Sequence, residues 1–499
     1  MVRHLNILRV NQSAVAFAAG LLAVLGFAPF SLFPLAIFAL AVLFTQWQRA
    51  EHARVAVKLG FFFGLGLFGA GIGWIYIALH DYGDMPLLMA FPATVLFVAF
   101  WALFPALAGY AQAKFRTPAW AKLVLLMPAL WVLVEYLRGM IFTGLPWLVL
   151  GYSQVEASPL VGYAALLGVY GVSLGVALSA GLFALLWQAR WSRQGKLALA
   201  IAAVLCLVGV ALRGVAWTQP QGEPFKVSLV QGNIAQELKF REEKLVGTLE
   251  TYRKFVLQSD ARLIVLPETA LPILRQEVPE NYSNILRDHA RKNGGDILTG
   301  AFERDHGQFY NSVFTLGTAE GQSYRKNHLV PFGEFIPLRP ALAWFINEVL
   351  NIPMSDLARG GVAQPPLSVA GQKVAVNICY EDVFGEEIIR ALPEATLLVN
   401  VTNDAWYGNS HAAMQHNQIS QMRALETGRM MLRATNTGVT SIIGRNGRIQ
   451  QMLPQHEEGM LSGEAQGYAG STPYVRWGNA MVLGLLALML AAAWALRKR

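Results

Sequence analysis

Apolar segments long enough to cross a bilayer dominate this sequence. A helix needs about 20 mostly apolar residues to span the hydrocarbon core. Such segments lie at 10–29, 31–47, 55–79, 86–110, 120–138, 160–188, 196–217 and 477–496. Charged residues make up only 14% of the chain, against roughly 25% in an average soluble protein. We therefore predict an eight-helix α-helical transmembrane bundle.

Between the seventh and eighth apolar segments the pattern changes to that of a soluble domain. Short β-rich runs alternate with charged helical segments and with turns rich in Gly, Asn and Pro, which is typical of a layered α/β fold. A length of about 250 residues allows a substantial core. The sequence thus predicts transmembrane helices 1–7 over 1–217, a soluble domain over 218–470, and helix 8 with a basic tail over 471–499.

Local patterns predict the individual elements of this domain. The prediction is strands at 227–231, 263–266, 297–300, 312–316, 374–378 and 397–401, helices at 242–258, 282–292, 385–392 and 412–429, and a hairpin turn at Asn446 and Gly447.

Positive charges alternate between the loops that connect the apolar segments. Lys and Arg accumulate on the cytoplasmic side of short loops, and here they occupy both ends and every second loop. The residues are Arg3, Arg9, Arg49, Arg54, Lys58, Lys114, Arg116, Arg190, Arg193, Lys196, Arg497, Lys498 and Arg499. Eight spans with this pattern put both termini in the cytoplasm and the soluble domain on the outer face of the membrane. Because these loops contain much of the net charge of +8, we expect no nucleic-acid partner.

Two features of the apolar part have alternative interpretations. The first segment follows Arg3 and Arg9 and also fits a cleaved signal peptide, although cleavage would disturb the alternation of charge. Glu135 and Arg138 stand three residues apart, close enough to pair on a helix. They are interpreted either as a structural ion pair or as a contact to a lipid head group or to the soluble domain.

Three polar residues are associated with two apolar runs that resemble buried strands. Glu268 ends one run, Cys379 ends another, and Lys326 lies between them in the chain. Strand ends in open α/β sheets are where ligands bind. A thiol there acts as a nucleophile if a neighbour such as Glu268 takes its proton, and Lys326 could stabilise a thiolate and an oxyanion. On spacing alone, an inert buried cysteine remains the alternative.

Metal and cofactor sites are not expected. Two cysteines are too few for a disulfide framework or a thiolate zinc site. The sequence contains no His-Glu-x-x-His motif and no Gly-rich phosphate loop. We therefore predict chemistry that relies on side chains alone.

Five sequence blocks resemble motifs of the nitrilase, or carbon–nitrogen hydrolase, superfamily. They are Val-Gln-Gly-Asn at 230–233, Leu-Pro-Glu-Thr at 266–269, Tyr-Arg-Lys-Asn-His-Leu-Val-Pro-Phe-Gly-Glu at 324–334, Asn-Ile-Cys-Tyr-Glu-Asp at 377–382 and Asn-Asp-Ala-Trp-Tyr-Gly at 403–408. With eight spans flanking these blocks, the whole chain resembles the bacterial apolipoprotein N-acyltransferase family. The resemblance implies a four-layer αββα sandwich for the soluble domain.

The resemblance also implies roles for individual residues. Glu268 would be the general base, Lys326 the electrostatic stabiliser and Cys379 the acylated nucleophile. Supporting or substrate-binding positions are implied at Glu334, Tyr380, Glu381, Trp406 and Phe240. Phe240 departs from the Trp of many relatives: it keeps an aromatic wall without an indole N–H.

The implied reaction is a two-step, ping-pong acyl transfer. Cys379 would take an acyl chain from the sn-1 position of a phospholipid as a thioester. The α-amine of an N-terminal diacylglyceryl-cysteine on an apolipoprotein would then accept it. We expect a monomer surrounded by membrane lipid. Two other classes stay open: a membrane-tethered amidase, in which water resolves the acyl-enzyme, and a transporter whose soluble part is a binding domain.

A strongly apolar stretch at 332–350 follows the lysine motif and includes Trp344 and Phe345. It is interpreted either as ordinary core or as a lid that dips into the bilayer interface and admits acyl chains. In the second interpretation, both aromatic side chains contact lipid.

Overall fold

The computed structural model describes residues 11–190, 192–336 and 356–497. Helices dominate the first part of the chain, as the apolar pattern predicts. They are α1 Gln12–Val24, α2 Phe33–Arg49, α3 Ala53–Ile72, α4 Ile75–His80, α5 Leu87–Lys114, α6 Ala119–Arg138, α7 Pro159–Ala189 and α8 Arg193–Arg213.

Five of these helices, α3, α5, α6, α7 and α8, are long and apolar enough to cross a membrane. The other three predicted spans contain shorter helices: α1 has 13 residues, α2 has 17, and Ala480–Ala495 has 16. Gly26 and Pro29 follow α1, and Pro34 lies in the first turn of α2, so the helical pattern is broken between them. The predicted count of eight spans is therefore not confirmed.

Glycines on α3 let neighbouring helices approach closely. A Cβ atom on Gly60 would lie 2.4 Å from the main-chain oxygen of Pro105 in α5, and one on Gly66 would lie 2.2 Å from that of Phe17 in α1. Such small residues favour close helix packing in membranes, where the hydrophobic effect does not drive helix association. Helix α3 is therefore the centre of the first part of the bundle.

The close approach of α3 and α5 predicts that Gly60→Ala lowers the midpoint of thermal unfolding in detergent. Overpacking of this kind costs about 1–3 kcal/mol. Gly69→Ala in the same helix is the matched control, because its Cβ would meet only Val98 Cγ1 at 3.9 Å. Equal midpoints for the two variants would contradict this packing.

The second part of the chain alternates strands and helices. Its elements are β1 Thr218–Gln231, α9 Gln236–Lys239, α10 Glu242–Gln258, β2 Leu263–Val265, β3 Leu271–Leu274, α11 Glu280–Lys292, β4 Asp296–Asp305, β5 Gln308–Gly317, β6 Ser323–Arg325, β7 Leu367–Val369, β8 Gln372–Ile378, α12 Gly385–Ile388, β9 Leu397–Thr402, α13 Ala412–Thr427, β10 Met431–Thr435, β11 Thr440–Ile443, β12 Ile449–Leu453, β13 Gly459–Gly470, α14 Pro473–Trp477 and α15 Ala480–Ala495.

The strands form two sheets. One has the order β13-β1-β2-β4-β5-β6, with β3 also paired to β4, and the other has the order β12-β11-β10-β9-β8-β7. Apolar side chains of both sheets form one core between them, including Val227, Leu263, Val374, Val399 and Leu432. Helices α10 and α11 cover the outer face of the first sheet, and α12 and α13 pack on that of the second. The observed layering is thus the predicted αββα sandwich.

Several element boundaries differ from the predicted ones for local reasons. Helix α13 ends at Thr427, two residues early, because Gly428 adopts φ +63° and terminates it. Strand β13 has no strong β signal in the sequence because it contains four glycines. At Gly467 a Cβ atom would lie 2.0 Å from Gln372 Oε1, so packing between the sheets favours glycine there. The hairpin at Asn446 and Gly447 is confirmed by the β11–β12 pairing.

Helix α13 joins the sandwich to the apolar part of the chain. Nearly all of its residues are buried, including its polar ones. Gln415 Oε1 accepts hydrogen bonds from the indole N–H groups of Trp147 at 2.8 Å and Trp74 at 3.2 Å, and its amide donates to Gly71 O at 3.1 Å. The two parts of the molecule therefore share a hydrogen-bonded interface.

Glu135 and Arg138 are both buried in α6, and both bind the loop that follows it. Arg138 donates to the main-chain oxygens of Leu145 at 2.6 Å and Trp147 at 2.5 Å, while Glu135 accepts from Leu150 N at 2.9 Å. The structure thus gives both residues a main-chain role that the sequence interpretations did not include.

Candidate active site

The chain brings Glu268, Lys326 and Cys379 to the ends of strands in the sandwich. Glu268 follows β2, Lys326 follows β6, and Cys379 follows β8 as the first residue of a 3₁₀ turn, Cys379–Val383. Each side chain is buried, and Cys379 interacts electrostatically with both other residues. The three residues that the sequence singled out therefore form one cluster, while their chemical roles stay predictions.

Lys326 is the charged centre of this cluster. Its Nζ lies 2.9 Å from Glu334 Oε1 and 3.4 Å from Glu268 Oε1. Burial opposes the charged form, but the carboxylates of Glu334 and Glu268 prevail and raise the pKa of Lys326 well above its usual value. Lys326 is therefore a fixed ammonium at neutral pH.

Asn311 in β5 orients both carboxylates. Its Nδ2 donates to Glu268 Oε1 at 2.7 Å and to Glu334 Oε1 at 3.2 Å. Glu334 also accepts from Val330 N at 2.8 Å through its other oxygen. Among the described residues, the Glu268 carboxylate is hydrogen-bonded only through Oε1. Glu268 is thus the carboxylate with an oxygen left to accept a proton.

The sequence analysis missed Asn311, which belongs to none of the five blocks. The only available signal was an amide side chain inside a run of buried residues in β5. Buried polar groups need hydrogen-bond partners, and an amide in such a strand indicates a nearby charged or polar cluster.

The backbone at Cys379 is strained. Its φ is +54°, a left-handed conformation that costs of order 1–3 kcal/mol for a residue with a side chain. Asn400 Nδ2 donates to Cys379 O at 3.2 Å and helps to hold the turn. Burial and the Glu268 carboxylate raise the pKa of the thiol, against the opposing effect of Lys326. The resting sulfur is therefore a protonated thiol, which needs a base to become a nucleophile.

Glu381 connects the cysteine turn to the lysine segment. One carboxylate oxygen accepts from Asn327 N at 2.7 Å and His328 N at 3.1 Å, and the other accepts from Ile378 N at 2.7 Å. The hydroxyl of Tyr324 donates at 3.0 Å as well. Burial raises the pKa of Glu381 to about 7, although these N–H groups oppose the shift. Glu381 therefore has a structural function in fixing the distance between the two segments.

Tyr380 reaches the apolar part of the molecule. Its hydroxyl donates to Gly144 O at 2.8 Å, in the loop after α6. Gly144 has φ +90°, and a Cβ there would lie 2.1 Å from Gly139 O, so the loop requires glycine. The residue next to Cys379 is thus anchored outside the sandwich.

Of the four aromatic residues predicted to contact substrate, the structure describes Phe240 and Trp406. Phe240 is 46% exposed and lies 6.2 Å from the Phe302 ring; Trp406 is 39% exposed and lies 6.4 Å from the Tyr82 ring. Both have room for a further apolar contact. Trp344 and Phe345, with most of the predicted lid, lie outside the described residues.

A buried ionic network, also missed from the sequence, lies behind the cysteine turn. His416 contacts Asp382 and Asp404, each at 2.8 Å, and Arg433 contacts Asp404 at 2.9 Å. Arg433 also donates to Asn400 Oδ1 at 2.6 Å. Through Asn400 the network reaches Cys379, so it supports the strained turn. Across the described ranges, no group of three or more His, Cys, Asp or Glu side chains is arranged to hold a metal ion.

The His416 network predicts a pH dependence of stability. Burial and Arg433 oppose protonation, but Asp382 and Asp404 raise the pKa of His416 to about 8. The protonated imidazole therefore stabilises the fold fully below the unfolded pKa of about 6.5, and this contribution is lost as the pH rises through about 8. A shift of this size corresponds to about 2 kcal/mol.

Thermal unfolding of wild type and His416→Gln over a pH series tests this expectation. The wild-type midpoint should fall between pH 6.5 and 8, whereas that of the variant should change much less. Parallel pH profiles would contradict the assignment of charge to His416.

Comparison with known proteins connects this geometry to a family. Residues 19–182 match the family model of the apolipoprotein N-acyltransferase N-terminal domain, and residues 226–474 match that of carbon–nitrogen hydrolases. A protein of Nitrosomonas europaea named apolipoprotein N-acyltransferase is 52% identical over 96% of each chain. The chain belongs to the apolipoprotein N-acyltransferase family. A protein of the same name from Methylococcus capsulatus is 43% identical over 97% of this chain and 96% of its own.

As a member of this family, the protein is a membrane protein with a carbon–nitrogen hydrolase domain, as predicted. Among solved structures, a CN-hydrolase superfamily protein from Xanthomonas campestris aligns with 53% of this chain and 97% of its own, at 18% identity and a TM-score of 0.38.

Proposed function

We propose that this protein transfers a fatty acyl chain from a phospholipid to the N-terminal α-amine of diacylglyceryl apolipoproteins. The observation that supports the proposal most is the buried cluster of Lys326, Glu268 and Glu334 beside a cysteine in a strained turn. The names of the relatives agree with it. Cys379 is the proposed nucleophile, Glu268 the base and Lys326 the electrostatic stabiliser.

In the first step, Glu268 accepts the thiol proton and Sγ of Cys379 bonds to the ester carbonyl carbon of the phospholipid, at the sn-1 chain. The ester C=O becomes an oxyanion, which the Lys326 ammonium stabilises. When the oxyanion collapses, the bond to the glycerol oxygen breaks and that oxygen takes the proton from Glu268. The products are a thioester on Cys379 and a lysophospholipid.

In the second step, the neutral α-amine attacks the thioester carbon and gives a proton to Glu268. The C–S bond then breaks, and the Cys379 sulfur regains the proton from Glu268. The product is an amide, and the enzyme returns to its starting state. The free oxygen of Glu268 suits this repeated proton exchange.

The membrane arrangement belongs to the same proposal. Helices α1, α2 and α15 complete eight spans, both termini lie in the cytoplasm, and the domain over 218–470 faces the periplasm against the inner membrane. Phe240, Trp406, Trp344 and Phe345 contact the acyl chains, and the protein works as a monomer. An acyl donor that never leaves the bilayer explains why the hydrolase domain is joined to so many apolar helices.

Mass spectrometry of the purified protein with a diacyl phospholipid tests the mechanism. Wild type should gain one acyl mass on Cys379, and Cys379→Ala should gain none. Cys206→Ala is the matched control and should load normally, because Cys206 is half-buried in α8. Lys326→Met should load at least about 100-fold more slowly than wild type, since it lacks the charge that stabilises the oxyanion.

The fate of the adduct separates transfer from hydrolysis. A lipopeptide with a free α-amine should release the acyl group quickly and water only slowly. Equal release by water alone would favour a membrane-tethered amidase, which shares the chemistry up to the thioester. An absent adduct, or an equal adduct on Cys379→Ala, would contradict the proposed function.

A further inference from the structure

A second buried lysine lies beside the candidate active site. Lys239 ends the short helix α9 and is only 2% exposed. Its Nζ donates to the main-chain oxygen of Glu268 at 3.0 Å. Lysine is almost never buried to this extent unless it is paired. Among the described residues, its hydrogen-bond partner is a neutral carbonyl rather than a carboxylate, so the charge needs another explanation.

The charges around Lys239 supply that explanation. Two groups act on its ammonium electrostatically, the Glu268 carboxylate and the Cys379 sulfur. Burial lowers the pKa of Lys239 to about 8, while the Glu268 carboxylate and, once ionised, the Cys379 sulfur counteract this shift. The side chain is thus mostly charged at neutral pH, and its charge interacts with the two groups that exchange the catalytic proton.

The Lys239 ammonium affects the balance of formal charge in the site. Glu268, Glu334 and Lys326 together carry one excess negative charge, and the Lys326 ammonium is closest to Glu334, at 2.9 Å. Moving a proton from the thiol to Glu268 leaves that negative charge on Cys379, and acyl transfer then moves it to an oxyanion. In a buried site, an uncompensated charge of this kind is costly. A second cation balances the excess negative charge of these three groups at each stage.

We propose that Lys239 is a positioning residue and the second cation of this centre: it holds the main chain of Glu268 and stabilises the negative charge that forms on Cys379. The inference rests on the proposed function of Cys379 as nucleophile. A purely structural Lys239 would only hold the Glu268 carbonyl, and any neutral N–H donor of similar length would replace it.

Thiol reactivity separates these two roles without any phospholipid. Full-length protein with Cys206→Ala has Cys379 as its single thiol, and iodoacetamide reports its thiolate fraction over a pH series. Glu268, Lys326 and Asp404 act on that thiol, and Lys239, Tyr380 and Tyr407 are the other ionisable groups that interact with it. Lys239→Met should slow alkylation at neutral pH about tenfold, equivalent to a rise of one unit in the thiol pKa. Lys239→Arg should retain most of the wild-type rate.

Lys239→Gln keeps an N–H donor for the Glu268 carbonyl but carries no charge. It should resemble Lys239→Met in alkylation and in the rate of acyl loading from phospholipid. Lys244→Met is the control, because this nearby lysine is exposed on α10 and its loss should change neither rate. The comparison of Gln with Arg remains decisive if Lys239→Met does not fold.

Two results would overturn the inference. One is a folded Lys239→Met protein with the wild-type pH profile of alkylation, and the other is a Lys239→Gln protein as reactive as Lys239→Arg. Failure of the proposed function is distinct from both. It would appear as wild-type protein whose Cys379 reacts with iodoacetamide in a Lys239-dependent manner but takes no acyl group from phospholipid.

Discussion

The arrangement of the candidate active site depends on the buried carboxylate of Glu381. It accepts main-chain N–H groups from the lysine segment at Asn327 and from the cysteine strand at Ile378, which are far apart in sequence. A carboxylate is suited to this because its two oxygens accept several hydrogen bonds at once. Glu381 thus joins the ends of β6 and β8 and helps to hold the Lys326 segment beside the Cys379 turn.

The turn Cys379–Val383, which contains this carboxylate, is held jointly by the sandwich and the apolar part of the chain. Tyr380 binds Gly144 O, and the hydroxyl of Tyr152 donates to Val383 O at 3.4 Å. On α13, Glu426 accepts from Val169 N at 2.7 Å. The left-handed Cys379 is therefore held from both sides, which is how the surrounding structure can maintain a costly backbone conformation. The apolar part of the chain therefore also supports the backbone of the candidate active site.

The sequence predicted the site residues that belong to local motifs, but not those whose role depends on contacts between distant parts of the chain. Strand ends and motif blocks indicated Glu268, Lys326 and Cys379. Asn311 carries only a weak local signal and Lys239 carries none, because each acts through a contact with residues far along the chain. Helices α1 and α15 are also shorter than their hydropathy windows, since windows average over the Gly and Pro residues that end helices. The spacing of Glu135 and Arg138 in α6 likewise suggested an ion pair, whereas both side chains bind main-chain groups of the following loop.

The ladder between β1 and β13 pairs Thr218 with Gly470, the first and last residues of the sandwich. The chain therefore leaves the helical bundle and returns to it at neighbouring points, so the ends of the inserted domain lie side by side. During synthesis, β1 has this partner only after residue 470 has emerged, so the sheet edge closes last. A chain truncated before β13 would therefore expose β1 as an unpaired strand edge.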